Sequence, residues 1–112
     1  MKVDAPLYSY EAPEEEVRRL EAKGYSGAFT FEGQHDPFFP LLLAARASEH
    51  IQLYTAVAIA FSRNPMILAN IGWDLQLLSK GRFILGLGTQ IKAHIERRFS
   101  MPWSQPAARM RE

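Results

Sequence analysis

Residues 51–88 read IQLYTAVAIAFSRNPMILANIGWDLQLLSKGRFILGLG and carry the strongest structural signal in the chain. The part from Ile51 to Phe61 is almost continuously apolar, which is typical of a strand buried on both faces of a parallel sheet. Asn64 and Pro65 then open a helix, as a side-chain cap and a first-turn proline. Apolar positions recur at helical spacing until Lys80-Gly81, and a second strand follows. The stretch therefore predicts a strand, a helix and a parallel strand.

The same strand–helix order extends to both sides of this stretch. A helix begins at Pro13, where the missing N–H costs nothing, and Gly24 ends it as a left-handed cap. Asp36 and Pro37 open the next helix as a cap and a first helical residue. Strands are predicted at 3–7, 27–31, 51–61 and 82–88, and helices at 13–23, 38–47, 65–79 and 90–99, with another beginning near residue 107.

Repeated units of this kind fit two architectures. Parallel strands with right-handed crossovers form either an open doubly wound sheet or part of a TIM (β/α)8 barrel. A complete barrel takes about 250 residues, so a chain of 112 residues supplies about half of one. The chain stops inside a predicted helix after the fourth strand, which favours the half barrel. We therefore expect an α/β fold in which residues 1–112 are a single partial domain, truncated after strand four.

Composition and charge exclude several functional classes. The chain has 13 Lys+Arg against 12 Asp+Glu and therefore lacks the cationic excess that nucleic-acid binding requires. The absence of cysteine removes disulfides and thiolate chemistry and suits a reducing compartment. No apolar stretch approaches the roughly 20 residues of a membrane span, and no secretory signal is visible. We expect a cytoplasmic protein without nucleic-acid or membrane partners.

Two common kinds of binding motif are missing from the sequence. Gly86-Leu87-Gly88 lacks the third glycine of a dinucleotide fingerprint, because Ile91 stands at that position. The three histidines have no mutual metal-ligand spacing, so no metal site is predicted.

Polar residues after the second strand are the best catalytic candidates. His35 follows strand two, on the face where barrels carry their chemistry, and could orient a substrate or act as a base. Hydrogen bonding within its own loop is the alternative. Glu32 lies near the same face, where a pair with the imidazole is conceivable.

Small side chains stand in the buried strand at Thr55-Ala56-Val57-Ala58. Alanines in such a strand give up packing volume, either because bulky neighbours fill it or because a planar ligand lies against the backbone. In a barrel, Gly88-Thr89-Gln90 would also lie at a strand's carboxyl end beside a ligand. The residues alone leave both explanations open.

Several segments together resemble the luciferase-like monooxygenase superfamily. They are Thr55-Ala56-Val57-Ala58, Asn64-Pro65, Trp73-Asp74-Leu75-Gln76 and the run from Leu78-Ser79-Lys80-Gly81-Arg82-Phe83 through Gly88-Thr89-Gln90. Residues 92–99 followed by Met101-Pro102-Trp103 look like the deazaflavin-dependent oxidoreductase branch. The resemblance spans essentially the whole chain, but only the N-terminal part of a family member.

The resemblance implies a TIM barrel that uses coenzyme F-420, a deazaflavin, with FMN as the superfamily's other cofactor. Such enzymes transfer hydride between the cofactor ring and a small organic substrate, and FMN members can incorporate oxygen. It also implies a bulge with a non-proline cis peptide at Ala56–Val57, which backs the ring. Glu32 and the segment Gly88, Thr89 and Gln90 would flank the ring.

Two further hypotheses remain beside this enzyme. The chain could be a truncated half barrel without activity, whose unpaired edge strands invite self-association. It could also be an open doubly wound binding domain. Besides a small-molecule substrate, we therefore expect either a homo-oligomer or a partner that supplies the missing C-terminal half of the barrel.

Overall fold

The computed structural model describes all 112 residues, along which strands and helices alternate. The strands are Asp4–Pro6 (β1), Gly27–Thr30 (β2), Gln52–Thr55 (β3), Ala58–Ile59 (β4), Phe83–Ile84 (β5) and Leu87–Gly88 (β6). The helices are Pro13–Ala22 (α1), Phe38–Ala47 (α2), Pro65–Leu78 (α3), Lys92–Phe99 (α4) and Pro106–Met110 (α5), with a 3-10 turn at Ala60–Ser62. Every pairing is parallel, in the orders β1-β2-β3-β5 and β4-β6. The α/β class and the parallel arrangement are as predicted.

The third and fourth predicted strands are each divided in two. The predicted strand at 51–61 is interrupted by the Ala56–Val57 peptide, which is cis, as the resemblance implies. The predicted strand at 82–88 is interrupted because Gly86 is bound to a side chain. Its N–H donates to the Thr55 hydroxyl oxygen (2.9 Å), and its carbonyl accepts from that hydroxyl (2.7 Å). Strands β3 and β4 together therefore correspond to the third strand of a barrel, and β5 and β6 together correspond to the fourth.

Local sequence signals account for the helix ends. The Asn64 side chain accepts a backbone N–H two residues later, as a cap does. Asp36 Oδ1 accepts the N–H of Phe38 at 2.7 Å, and α2 spans Phe38–Ala47 as predicted, although Pro37 precedes the helix rather than being its first residue. Gly24 has a φ of +86° just after α1, which a glycine adopts without steric cost.

One face of the sheet packs against α1, α2 and α3. Alternate strand residues point to this face and are buried with apolar side chains of the helices. These strand residues are Ala28, Leu53 and Phe83. The core therefore lies between the sheet and its helices, as in one sector of a barrel wall.

The opposite face of the sheet carries larger side chains that no helix covers. Phe29 and Tyr54 stack with their ring centroids 5.5 Å apart, and Ile84 is half-exposed. The Tyr54 hydroxyl donates to the Asp4 carboxylate at 2.7 Å. Burial, this hydrogen bond and the charge of Asp4 raise the pKa of Tyr54 to about 12. This face corresponds to the interior of a complete barrel.

Two polar side chains tie the amino ends of the strands to the helices. Arg82 donates to backbone carbonyls at the end of α2 and before β3. The Glu21 carboxylate accepts the N–H groups of Glu49, His50 and Ile51. Burial alone would raise the pKa of Glu21, but these three donors together lower it. This edge of the sheet is therefore fixed by side-chain hydrogen bonds to the backbone, most of them partly buried.

The outer face of α2 and α3 is unusually apolar. Large side chains on these helices are exposed, namely Phe39, Leu43, Met66, Ile67, Trp73 and Leu77. Large exposed apolar side chains mark interaction sites where they form a patch. None of the helices combines the length and apolar character needed to cross a membrane.

Candidate functional site

The carboxyl ends of the parallel strands meet at one edge, and three of the predicted segments lie there together. The N–H of Glu32, just after β2, donates to the Val57 carbonyl at 3.3 Å. Val57 in turn lies against Gly88 at the end of β6, where an added Cβ would be 2.5 Å from the Val57 side chain. The topology therefore places Glu32, the Ala56–Val57 peptide and Gly88 side by side, as parallel strands predict.

Val57 presents an apolar surface at this edge, with 43% of the residue exposed. The neighbouring strand carries glycine at both adjoining positions. A Cβ on Gly86 would lie far inside van der Waals contact with the Thr55 carbonyl oxygen, and a Cβ on Gly88 would displace Val57. Val57 is therefore an exposed apolar side chain beside a strand that carries no side chain at these two positions. We call Val57, with Gly86 and Gly88 beside it, the Val57 wall.

The Glu32 carboxylate is engaged within the protein. Its side chain is only 6% exposed, and Oε1 accepts from Arg63 Nη1 at 2.6 Å and from the Ile59 N–H at 2.9 Å. Arg63, 14% exposed, also donates to the Ile59 carbonyl at 3.0 Å. Glu32 therefore holds the segment that follows Val57, and this buried ion pair satisfies its charge.

His35 lies on the same loop and is exposed. Its ring lies on Tyr10, with centroids 4.3 Å apart. No hydrogen bond joins His35 to Glu32, so the conceivable carboxylate–imidazole pair does not form, because Arg63 and a backbone N–H occupy the carboxylate. Burial and the charge of Asp36 raise the pKa of Tyr10, although the hydrogen bond from its hydroxyl to the Asp36 carbonyl opposes this.

Thr89 and Gln90 form the turn from β6 into α4. The Thr89 hydroxyl donates to the Gln90 carbonyl at 3.1 Å, and the Gln90 side chain accepts the N–H of Ile91. Gln90 adopts a φ of +60°. Their place at the strand end is as predicted, but no hydrogen bond joins them to Glu32 or His35. The structure also contains no group of three acidic or histidine side chains that could hold a metal ion.

Sequence reasoning missed Arg63 and Tyr10, which fix the loop between β2 and α2. A signal for Arg63 was present: it is the only charged residue between Ile51 and Trp73. A lone charge in so apolar a stretch needs a partner if it is buried. Tyr10 offered no comparable signal, because its contacts to His35 and Asp36 depend on the three-dimensional course of the loops.

Four successive strand–helix units with parallel strand pairing are the architecture of one part of a TIM-type barrel. The luciferase-like monooxygenase family model matches residues 4–112. The chain belongs to this family.

Several curated relatives of this chain are mycobacterial. Uncharacterized proteins of Mycobacterium tuberculosis and Mycobacterium bovis are 64% identical over 93 residues, which cover 83% of this chain and 27% of each relative. A second M. tuberculosis protein, named as a candidate coenzyme F-420-dependent oxidoreductase, is 32% identical over 97 residues, or 86% of this chain and 28% of the relative. The chain thus spans about a quarter of the length of these relatives.

Solved structures share the fold at lower identity. A monooxygenase of Streptomyces bottropensis has a TM-score of 0.80 and 22% identity, covering 97% of this chain and 39% of that one. The oxygenating constituent of 3,6-diketocamphane monooxygenase from Pseudomonas putida, in complex with FMN, has a TM-score of 0.82 and 13% identity, covering 99% and 37%. The coenzyme F-420-dependent tetrahydromethanopterin reductase of Methanopyrus kandleri has a TM-score of 0.73 and 22% identity, covering 92% and 30%. The half-barrel prediction is confirmed.

Proposed function

We propose that residues 1–112 form the cofactor-facing half of an oxidoreductase that transfers hydride between coenzyme F-420 and a small organic substrate. FMN is the alternative cofactor, and with FMN the reaction could include oxygen. Membership of the luciferase-like family and the name of the 32% identical relative support the deazaflavin. The observation that carries the proposal is the exposed Val57 wall beside Gly86 and Gly88.

The site residues have distinct roles in this proposal. Ala56 and Val57 back the ring, and Gly88 keeps the adjoining strand from pushing Val57 forward. Thr89 and Gln90 border the ring from the end of β6. Glu32 contributes through the backbone it holds, because its carboxylate is already bound by Arg63.

His35 would act on the substrate rather than on the ring wall. Its exposed imidazole lies on the loop that follows β2, where it can orient a substrate or exchange a proton with it. The cofactor would supply the hydride chemistry, while these side chains supply orientation and an apolar surround.

The second candidate function is a half barrel that is inactive by itself. The free edges of β1, β5 and β6 favour this alternative, because unpaired strand edges bind further strands. In either case we infer one partial domain over residues 1–112 that associates, as a homo-oligomer or with the missing half of the barrel. The apolar outer face of α2 and α3 supports a homo-oligomer, and the lack of cysteine supports a cytoplasmic location.

A spectral titration distinguishes the two functions. Coenzyme F-420 and FMN are each added to the 112-residue chain and to a whole barrel in which this chain is joined to the remainder of its 64% identical M. tuberculosis relative. We expect saturable binding of the deazaflavin by the whole barrel. Binding only by the whole barrel would support the inactive half barrel for the chain alone. A folded whole barrel that binds neither cofactor would refute the proposed function.

A further inference from the structure

One guanidinium group joins both sides of the candidate site. Arg63 Nη1 contacts Glu32 at 2.6 Å, and Nη2 contacts Asp36 Oδ2 at 3.3 Å. Glu32 and Asp36 are the two ends of the loop that carries His35. Arg63 therefore binds this short loop at both ends, using the two nitrogens that the planar arginine fork provides.

The same guanidinium also binds the backbone of β4, which follows Val57. It donates to the carbonyl of Ile59, and its partner Glu32 accepts the N–H of Ile59. Ile59 lies two residues after Val57 and is fully buried. Both backbone groups of this residue are therefore fixed to the Arg63–Glu32 pair.

Other contacts leave Arg63 little freedom of its own. Its guanidinium carbon lies 5.2 Å from the centroid of the Phe38 ring, and Nη1 also reaches the Ser62 hydroxyl at 3.3 Å. The loop is held from outside by Arg98, which donates to the Gly33 carbonyl, and by Tyr10. Glu32 contacts Ile59 directly, and Arg63 adds the connection from Ile59 to the other end of the loop at Asp36.

We propose that Arg63 is a positioning residue, which sets the distance between the His35 loop and the Val57 wall. The proposal rests on the proposed function for the roles of His35 and Val57, but the connection itself needs no cofactor. Arg63 acts through Glu32, Asp36 and Ile59. Lysine keeps the charge but lacks the fork, so it can hold one side of the connection and not both.

Nuclear magnetic resonance of the unmodified chain, Arg63→Met and Arg63→Lys tests this connection directly. In Arg63→Met we expect the His35 ring resonances to shift away from their stacked position on Tyr10. We also expect protection of the Ile59 amide from hydrogen exchange to fall by about tenfold more than that of Leu53, because local opening is added to any global loss. In Arg63→Lys we expect the protection of the Ile59 amide to return to that of the unmodified chain. The His35 ring resonances should stay close to their positions in Arg63→Met.

Asp36→Asn weakens the contact of Arg63 with Asp36 and leaves its contact with Glu32 in place. This variant also tests the proposal if Arg63→Met does not fold. The amide keeps the oxygen that caps α2 but loses the charge that faces Arg63. We expect the nuclear Overhauser contacts between the His35 and Tyr10 rings to weaken and the protection of Ile59 to stay unchanged. Unchanged contacts between these two rings in Asp36→Asn would overturn the proposal. So would an equal loss of protection at Ile59 and Leu53 in a folded Arg63→Met.

These measurements stand apart from the cofactor titration. If the whole barrel binds no cofactor but the variants behave as expected, the proposed function fails and the connection remains. If the cofactor binds but the variants leave His35 in place, the proposed function remains and the role of Arg63 fails.

Discussion

Gly86→Ala is expected to lower the free energy of unfolding by about 3 kcal/mol, at the upper end of overpacking costs. The added Cβ would overlap the Thr55 carbonyl oxygen, which is a backbone atom and cannot rotate away. Moving the strands apart would break both hydrogen bonds between Gly86 and the Thr55 hydroxyl, and the 2.9 Å bond from the Ala58 N–H. The midpoint of urea unfolding, analysed with a common slope, measures the loss.

Gly72→Ala is the matched control for this substitution. Gly72 lies within α3, and its added Cβ would meet only a Leu85 methyl at 3.8 Å, an ordinary contact. Alanine is the better helix former, so we expect a gain of about 0.5–1 kcal/mol. Equal stability of the two variants would show that the structure accommodates a Cβ at Gly86 beside the Thr55 carbonyl, against this prediction.

Arg82→Met is expected to destabilise the protein by about 3 kcal/mol, because a charged donor is removed from several buried acceptors. The guanidinium donates to the carbonyls of Ala45, Ser48, Ile51 and Ser79 and to the Ser48 hydroxyl. Methionine retains most of the side-chain volume but satisfies none of these acceptors. Urea unfolding again measures the change, and an Arg82→Lys variant should recover part of it.

Arg46→Met controls for the loss of a positive charge near this site. Arg46 borders the same cleft as Arg82 but is exposed and makes no hydrogen bond or salt bridge. We expect its effect to remain within about 0.5 kcal/mol, as for ordinary surface substitutions. If both variants lose the same stability, the cause is charge rather than the hydrogen bonds of Arg82.

Most of the fold could be predicted because its signals are local. Apolar runs, first-turn prolines and the cap at Asn64 depend on neighbouring residues, and they located the strand–helix order. The breaks in the third and fourth strands could not be predicted from the periodicity alone. The break in the fourth strand depends on Thr55 and Gly86, which are far apart in the chain and exchange hydrogen bonds only after the sheet has formed. The break in the third strand lies at the Ala56–Val57 peptide, where only the family resemblance implied it.

One part of the candidate site could likewise be predicted from the sequence, and another part could not. Parallel topology brings the strand ends together, so the proximity of Glu32, Val57 and Gly88 followed from the predicted order of elements. The partner of Glu32 did not, because Arg63 is 31 residues away in the chain. Competition between Arg63 and His35 for that carboxylate is settled by a side-chain geometry that no spacing rule describes.

Amide mapping of the cofactor position tests the central claim, that this chain carries the cofactor wall at the carboxyl ends of its strands. Coenzyme F-420 is titrated into the isotope-labelled whole barrel, and the amide resonances of residues 1–112 are followed. We expect saturable shifts of the amide resonances centred on Val57 and Gly88. The resonances of Glu49 and Arg82, at the opposite edge of the sheet, should not shift. Shifts centred on that opposite edge, or a folded barrel whose resonances respond to neither coenzyme F-420 nor FMN, would contradict it.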